Sequence, residues 1–559
     1  MFSQLRFLGG LLAFLPLLVP AAALADPPAR IGRLAVIENA VEFRLARGEE
    51  AVPATPNWPI SNGAVLETGE RGRAEVWIDS TAFRLGDDSR VEFSVIDDER
   101  VDIEVAAGSL GVSIMDAGQA ADLRLRLADG RVSFAVAGRY RLDVWSDRSE
   151  LTTLAGLASI EHSGGRTQVA AGSKATLFAD GTLRVAGSDR PDTFDRWVAE
   201  RENATLASVS RSHVSPYMTG YQDLDSYGDW NSHAEYGSVW YPRAVASDWA
   251  PYRFGRWAWV APWGWTWIDA APWGFAPFHY GRWVLIHGRW AWVPGRRTER
   301  PVYAPALVAW IGNPGWSVSF SFGAAPAVGW FPLAPREVYV PHYRYSPTYI
   351  RRINVTHVHN VTVIDHAARG GRHEHFMHRG SPQAVTVVPA SRLREGREIN
   401  EREFRRIDRH ELGRAPASSA DGREWLAPTP EARRPRSDDR RQRMSPDSRR
   451  DDGRPVAEDR PERRMEAPSR QPGAGSREMP ATRREWRGDG APETLGSPRG
   501  REPRDAWREE WRNNRDSRRD DVFPADRGRE PAGRPSVVTP QMAPGHPLPP
   551  VERERWPER

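Results

Sequence analysis

Val91-Glu92-Phe93-Ser94-Val95-Ile96 and, a short gap later, Val101-Asp102-Ile103-Glu104-Val105 alternate apolar with polar side chains. A period of two sends one set of side chains to a core and the other to water, so both runs read as half-buried strands. The pattern extends in both directions. Upstream lie Ala74-Glu75-Val76-Trp77-Ile78 and Phe83-Arg84-Leu85; downstream lie Leu123 to Leu127, Val132 to Val136 and Tyr140 to Val144. Gly69, Gly86, Gly108, Asp129-Gly130, Gly138 and Asp180-Gly181 separate the runs. Asp-Gly suits a tight hairpin because both central positions can take positive φ. Short strands at a spacing of roughly 8–12 residues predict a mainly-β domain over residues 30–186, a β-sandwich or a solenoid-like sheet.

Within that domain, Gly63-Ala64-Val65-Leu66-Glu67-Thr68-Gly69, Ala74-Glu75-Val76-Trp77-Ile78 and Ala82-Phe83-Arg84-Leu85 resemble the FecR domain family. Val105-Ala106-Ala107-Gly108-Ser109-Leu110 and Val169-Ala170-Ala171-Gly172 fit the same pattern. The resemblance covers most of residues 33–185 and implies a fold more than an activity. It also implies a comparison with regulators that sit in the inner membrane and touch a sigma factor through a cytoplasmic segment. Here only Met1 to Arg6 precede an apolar run, which argues against such a contact and leaves a periplasmic binding or interaction module.

That run, Phe7 to Val19, ends shortly before Ala23-Leu24-Ala25. A basic start, a short apolar core and small residues at an A-x-A site predict a signal peptide over residues 1–25, cleaved before Asp26. The run is too short for a membrane span, which takes roughly 20 residues. The expected location is therefore periplasmic or secreted. The 559-residue chain contains no Cys. That excludes disulfides, thiol nucleophiles, Cys-ligated metals and a lipidated N-terminal Cys. Its formal charge of +4 is the small difference between 78 basic and 74 acidic residues, and Lys174 is the only Lys.

Residues 187–216 read as a helical linker, with Trp197, Val198 and Leu206 as a modest apolar face. A second domain is predicted over residues 217–390. Of the 24 Trp, 15 fall between Trp230 and Trp330. Ala250-Pro251-Tyr252-Arg253-Phe254-Gly255-Arg256-Trp257 recurs as Ala276-Pro277-Phe278-His279-Tyr280-Gly281-Arg282-Trp283. A repeat of this length indicates stacked supersecondary units, here short Trp-rich β-hairpins. Gly220 to Trp230, Tyr236 to Pro242, Phe278 to Trp283 and Gly329 to Glu337 resemble the DUF6600 family over about residues 217–350. That family has no assigned function, so the resemblance implies no mechanism.

The Trp pairs Trp257/Trp259, Trp265/Trp267 and Trp290/Trp292 each place two rings on one strand face. One reading makes them packing for short repeats, since each ring buries roughly 150–250 Å². The other makes them a surface that stacks on sugar rings or grips a peptide. Arg256, Arg282 and Arg289, each directly before a Trp, would then face the other way, toward carboxylates or an anionic polymer. His357 and His359 lie in an alternating run, Asn354 to Ile364, and share a face if that run is a strand. Such a pair can chelate a transition metal; a polar loop that happens to carry His is the alternative. Asp223-x-Asp225 has the first two oxygen ligands of a calcium loop but lacks the Glu at position 12, so turn-forming carboxylates are the better reading. No cofactor is expected.

Residues 391–412 are predicted as a charged helix. Residues 413–559, rich in Arg, Pro and Glu, are predicted to be a disordered tail, since they have too few apolar residues to offset ordering entropy. No catalytic motif stands out. The chain thus reads as a non-catalytic envelope interaction or scaffold protein, binding envelope polymer or a periplasmic or outer-membrane protein. A lectin or glycan-active enzyme using the Trp faces and a periplasmic sensor module are the alternatives. Nucleic acid is not an expected partner.

Overall fold

A computed structural model describes residues 26–297, 300–371, 375–416 and 426–434. The predicted signal peptide and the tail beyond Arg434 lie outside the described residues. The chain is mainly β, as its alternation requires.

The first half forms two sheets. One runs, neighbour to neighbour, through Gly32–Glu38, Arg73–Ile78, Thr81–Leu85, the second half of Val101–Ile114, Gly138–Val144, Arg148–Ala155, Ser173–Phe178 and Leu183–Gly187. The other runs through Val52–Pro53, Val41–Arg44, Ala64–Thr68, Arg90–Ile96, the first half of Val101–Ile114, Leu123–Arg126, Gly130–Phe134, Leu157–His162 and Gly165–Ala170. One long strand, Val101–Ile114, therefore belongs to both. It changes sheet at Gly108, where φ is +80° and an added Cβ would lie 2.3 Å from Ser89 Oγ. Only Gly satisfies both constraints at that corner. The inward residues of the alternating runs form the core; Phe83 of one sheet meets Phe93 of the other edge-on at 6.0 Å.

The predicted linker helix covers this half rather than spanning a gap. It runs Thr193–Leu206, and Asp192 and Asp195 form a reciprocal capping box at its start. Phe194, Trp197 and Val198 are buried, and Gly111 of the first sheet leaves room for Val198. Under the helix, Glu75 accepts from Arg84 Nε at 2.8 Å, Trp77 Nε1 at 2.8 Å and Arg201 Nη2 at 2.7 Å. Glu75 and Arg84 are fully buried, and Glu75 keeps its charge there because Arg201 and Arg84 both meet it.

The second half is built from hairpins: Gly228–His233 with Gly237–Pro242, Gly255–Val260 with Gly264–Asp269, and Arg282–Ile286 with Arg289–Val293. The first and third join through Trp240 and Trp292. Gly323–Pro332 pairs with Val308–Ile311, Ser317–Phe320 and Thr386–Pro389. The sequence repeat is visible in space. Its equivalent residues Tyr252 and Phe278 pack edge-to-face at 5.0 Å, and the Tyr252 hydroxyl donates to the Phe278 carbonyl.

The two halves share one core. A single buried cluster contains residues from Ala29 to Ala432, because the junction is tied by polar groups satisfied across it. Arg33 donates to Asn57 Oδ1 at 3.0 Å and also reaches Asp223 and the Pro272 carbonyl. Asn57 Nδ2 donates to the Ala271 carbonyl at 2.7 Å. Asp122 receives both Arg30, at 2.8 Å, and Arg300, at 2.9 Å.

Two further expectations need correction. Residues 391–412 are not one helix. Short helices Ala390–Arg394 and Arg409–Arg414 flank an irregular segment in which Ile399 bridges to Gly255 and Arg405 to Val387. Leu393, Ile399, Ile407 and Leu412 are all buried; their spacing cannot place them on one helix face, so they anchor the segment separately. Residues 426–434, expected within the disordered tail, pack on the Trp hairpins with Leu426 and Ala432 buried. Among the described residues, no helix is long and apolar enough to cross a membrane.

Candidate functional site

Register decides the fate of the Trp pairs. Trp257 lies directly opposite Trp267, and Trp259 opposite Trp265. Trp283 faces Trp292, and Trp310 faces Trp330. Cross-strand neighbours on one face are close enough for ring contact. Trp257 accordingly sits 5.5 Å from Trp267, 4.5 Å from Trp310 and 5.4 Å from Trp330. Trp257, Trp265, Trp267, Trp290 and Trp292 are buried. Their indole N–H groups are partly tied to the fold: Trp265 donates to the Leu426 carbonyl, Trp267 to Asp269 and Trp292 to the Tyr280 carbonyl. Trp259 is half-buried, and the Arg433 guanidinium lies 5.5 Å from its ring. The set packs as core, as the packing reading has it, and the alternative reading, an open face of paired rings, does not describe it.

Two of the three arginines before these Trp also turn inward. Arg282 is buried and donates to the Glu337 carbonyl and to Asn354 Oδ1 at 3.0 Å. Arg256 is buried and lies over the Trp58 ring. Arg289 is exposed, over Tyr241. Arg282 and Arg256 are thus met by groups inside the fold, while Arg289 stays on the surface against Tyr241.

The His pair is not assembled. Asn354 to Ile364 is no strand: helix Pro347–Asn354 ends there and helix Val361–Ala368 begins after Asn360, whose side chain caps it. His357 is buried, with its two ring nitrogens against the Val293 carbonyl at 3.1 Å and Thr356 Oγ1 at 2.8 Å. Burial, with Arg282 nearby, pushes its pKa down to about 3. His359 is exposed. Asn360 and Thr362, a short-range cap pair, outweigh the local alternation. Asp223 is bound to Arg33, and Asp225 accepts from Ser210, so both carboxylates tie loops. Among the described residues, no group of three or more His, Asp or Glu is placed to hold a metal.

What the fold does open is a cleft of about 600 Å³. Ser80 and Asp116 of the first half, Ser208 and Arg211 of the connection, and Tyr221 and Arg297 of the second half line it. The Arg211 and Arg297 side chains are exposed to the solvent that fills it. Arg211 bonds to the Tyr221 hydroxyl, whose pKa burial pushes up to about 12 despite that cation. Tyr221 therefore stays a neutral donor. Ser208 Oγ is buried without a partner. Asp116 is engaged by Gly118 N at 2.9 Å and by the Tyr217 hydroxyl at 3.4 Å. Two guanidiniums, a phenol and a free hydroxyl make a donor-rich pocket suited to a carboxylate or other anionic group. Sequence reading missed these residues because they come from segments far apart along the chain, and none carries a local motif.

Residues 221–337 match DUF6600, a family of unknown function. No curated protein matches the chain. Two crystal structures of a candidate anti-sigma factor from Parabacteroides distasonis ATCC 8503 are similar over 25% of this chain, at 12% and 11% identity and a TM-score of 0.21. The chain spans 63% and 64% of the length of those two structures.

Proposed function

We propose that this chain is a non-catalytic, exported cell-envelope interaction protein that holds an acidic segment of an envelope polymer or partner protein in the cleft between its halves. The carrying observation is that Arg211, Arg297, Tyr221 and Ser208 all line one opening, with Arg211 bonded to the Tyr221 hydroxyl. Guanidiniums suit planar anions, and neutral hydroxyls add donors without competing charge. The N-terminal export pattern supports placement in the envelope, and the sequence motifs of residues 33–185 support a FecR-like module for the first half. The buried Trp core directs recognition away from the ring faces and toward the cleft.

The test is binding of the full chain to acidic envelope polymers and carboxylate-rich peptides, measured by calorimetry at low and physiological salt. Arg211→Glu with Arg297→Glu is expected to weaken binding at least 30-fold, roughly what reversing two charge-assisted contacts removes. Unchanged affinity in the double variant, with its folding intact, sinks the reading.

A further inference from the structure

From Pro301 to Pro335 the chain carries no Asp, Glu, Lys, Arg or His, although 27% of all its residues are charged. Burial accounts for part of this. It does not account for the hairpin of Ser317–Phe320 and the start of Gly323–Pro332. There Asn313, Pro314, Gly315, Ser317, Ser319 and Ser321 to Ala324 are exposed, and a charge at any of them would stay in water. Soluble edge strands usually carry charges that block unwanted association. Among the described residues, Ser317–Phe320 pairs only with Gly323–Pro332 and carries no charged side chain of its own.

The tip is instead aromatic. Phe322 is 69% exposed, the highest value for a large hydrophobic residue among the described ones. It stacks on Phe320 with centroids 5.4 Å apart and planes 3° from parallel. The base is held rigidly: Val318 shares a buried cluster with Ile311, Phe331 and Leu412, and Trp316 and Phe320 pack on it. Leu412 belongs to helix Arg409–Arg414, whose Arg409 and Arg414 are exposed. Gly312 N donates to the Pro416 carbonyl just beyond that helix. The acidic residues there are engaged: Asp408 caps the helix and Glu411 takes Arg405 at 2.6 Å.

We propose that this hairpin docks on an anionic lipid surface. Phe320 and Phe322 enter the boundary between headgroups and acyl chains, and Arg409 and Arg414 meet the headgroups. An uncharged, Ser-bearing hairpin with an aromatic tip crosses no large desolvation barrier at that depth, whereas charged side chains would. The open edge keeps its backbone groups at headgroup level, where water still satisfies them. A partner strand added along Ser317–Phe320 would not cover Phe322, which lies in the turn beyond that strand's end. A planar surface meeting the tip does cover it.

The test uses the full chain with phosphatidylethanolamine/phosphatidylglycerol vesicles. Because the chain has no Cys, Ser321→Cys accepts a polarity-sensitive fluorophore at one place. Its emission is expected to shift blue on adding vesicles, less so at high salt or with neutral phosphatidylcholine. Phe320→Ser with Phe322→Ser is expected to lower vesicle partitioning roughly tenfold, the scale of losing buried aromatic area. Three results overturn the proposal: no shift while the chain floats with vesicles, which assigns flotation to another segment; a shift that follows protein concentration without lipid, which assigns the tip to self-association; and equal partitioning of the double variant. None of them bears on the cleft, whose charge-reversal test stands apart.

Discussion

The two halves solve the problem of short strands differently. In the first, strands lie in two extended sheets, and aliphatic side chains such as Leu34, Val76, Leu110 and Ile160 fill the space between. Each strand has a neighbour on most of its length, so no single side chain dominates. In the second half, hairpins with frequent Gly and Pro make only short ladders, and Trp rings opposite one another supply the missing buried area. The comparison shows two currencies of cohesion: many equivalent aliphatic contacts, or a few large aromatic ones. It also shows different electrostatics. The first half buries compensated charge, Glu75 with Arg84 and Arg201. The second buries titratable groups with few opposite charges, among them Asp269, His279 and His357.

The comparison is most open to attack at Trp257. Trp257→Ala removes a ring packed among Trp267, Trp310 and Trp330 and is expected to cost about 3–5 kcal/mol, against about 1 kcal/mol for Ile103→Val in the sandwich. Urea unfolding followed by fluorescence and by far-ultraviolet circular dichroism reports both. Because the halves share a core, the two probes are expected to give one coincident transition. Separate transitions would break the claim of a common body.

Glu75 gives the next largest effect. Burial alone would raise its pKa, but the Arg201 hydrogen bonds and the Arg84 charge overcome this and hold it at about 2. A carboxylate held below its usual value contributes stability above the unfolded pKa and loses it as pH falls toward the folded one. The contribution should therefore disappear between pH about 4.5 and about 2. Glu75→Gln is expected to cost about 3 kcal/mol at pH 7, since it leaves Arg84 buried beside a neutral group, and to flatten that acid limb.

Asp269 should show the opposite slope, with the smallest direct cost of substitution. Burial pushes its pKa up to about 7, against hydrogen bonds from Ala271 N and Trp267 Nε1. A carboxyl with a raised pKa holds its proton better when folded, so its contribution falls as pH rises from about 4 to about 7. Asp269→Asn is expected to remove that decline while losing one hydrogen bond, about 1 kcal/mol. Stability measured by urea at pH 5 and pH 7.5 checks it. An unchanged slope would show that Asp269 is ionised inside the fold.

Period-two alternation made the sandwich legible, because a sheet with one wet face must write that pattern into its strands. The Trp hairpins were legible as a repeat for a similar reason. Their burial was not, since Trp-x-Trp on a strand looks the same whether its face meets solvent or another strand. Asn354 to Ile364 misled for a related reason: alternation over so short a span is weaker than one capping side chain. Arg256 and Arg282 were placed on the face opposite the Trp by strand alternation, and that face meets carbonyls and rings inside the fold rather than solvent.

Local patterning by itself determined that this chain is mainly β, that it falls into an aliphatic and an aromatic half, and where many strands lie. Those properties follow from side chains close together along the backbone. Only the tertiary structure decided that the halves share one core, that the Trp faces close on each other, and that Arg211 and Arg297 border one opening. Each of these depends on residues far apart in the chain meeting in space, and no local pattern encodes such a meeting.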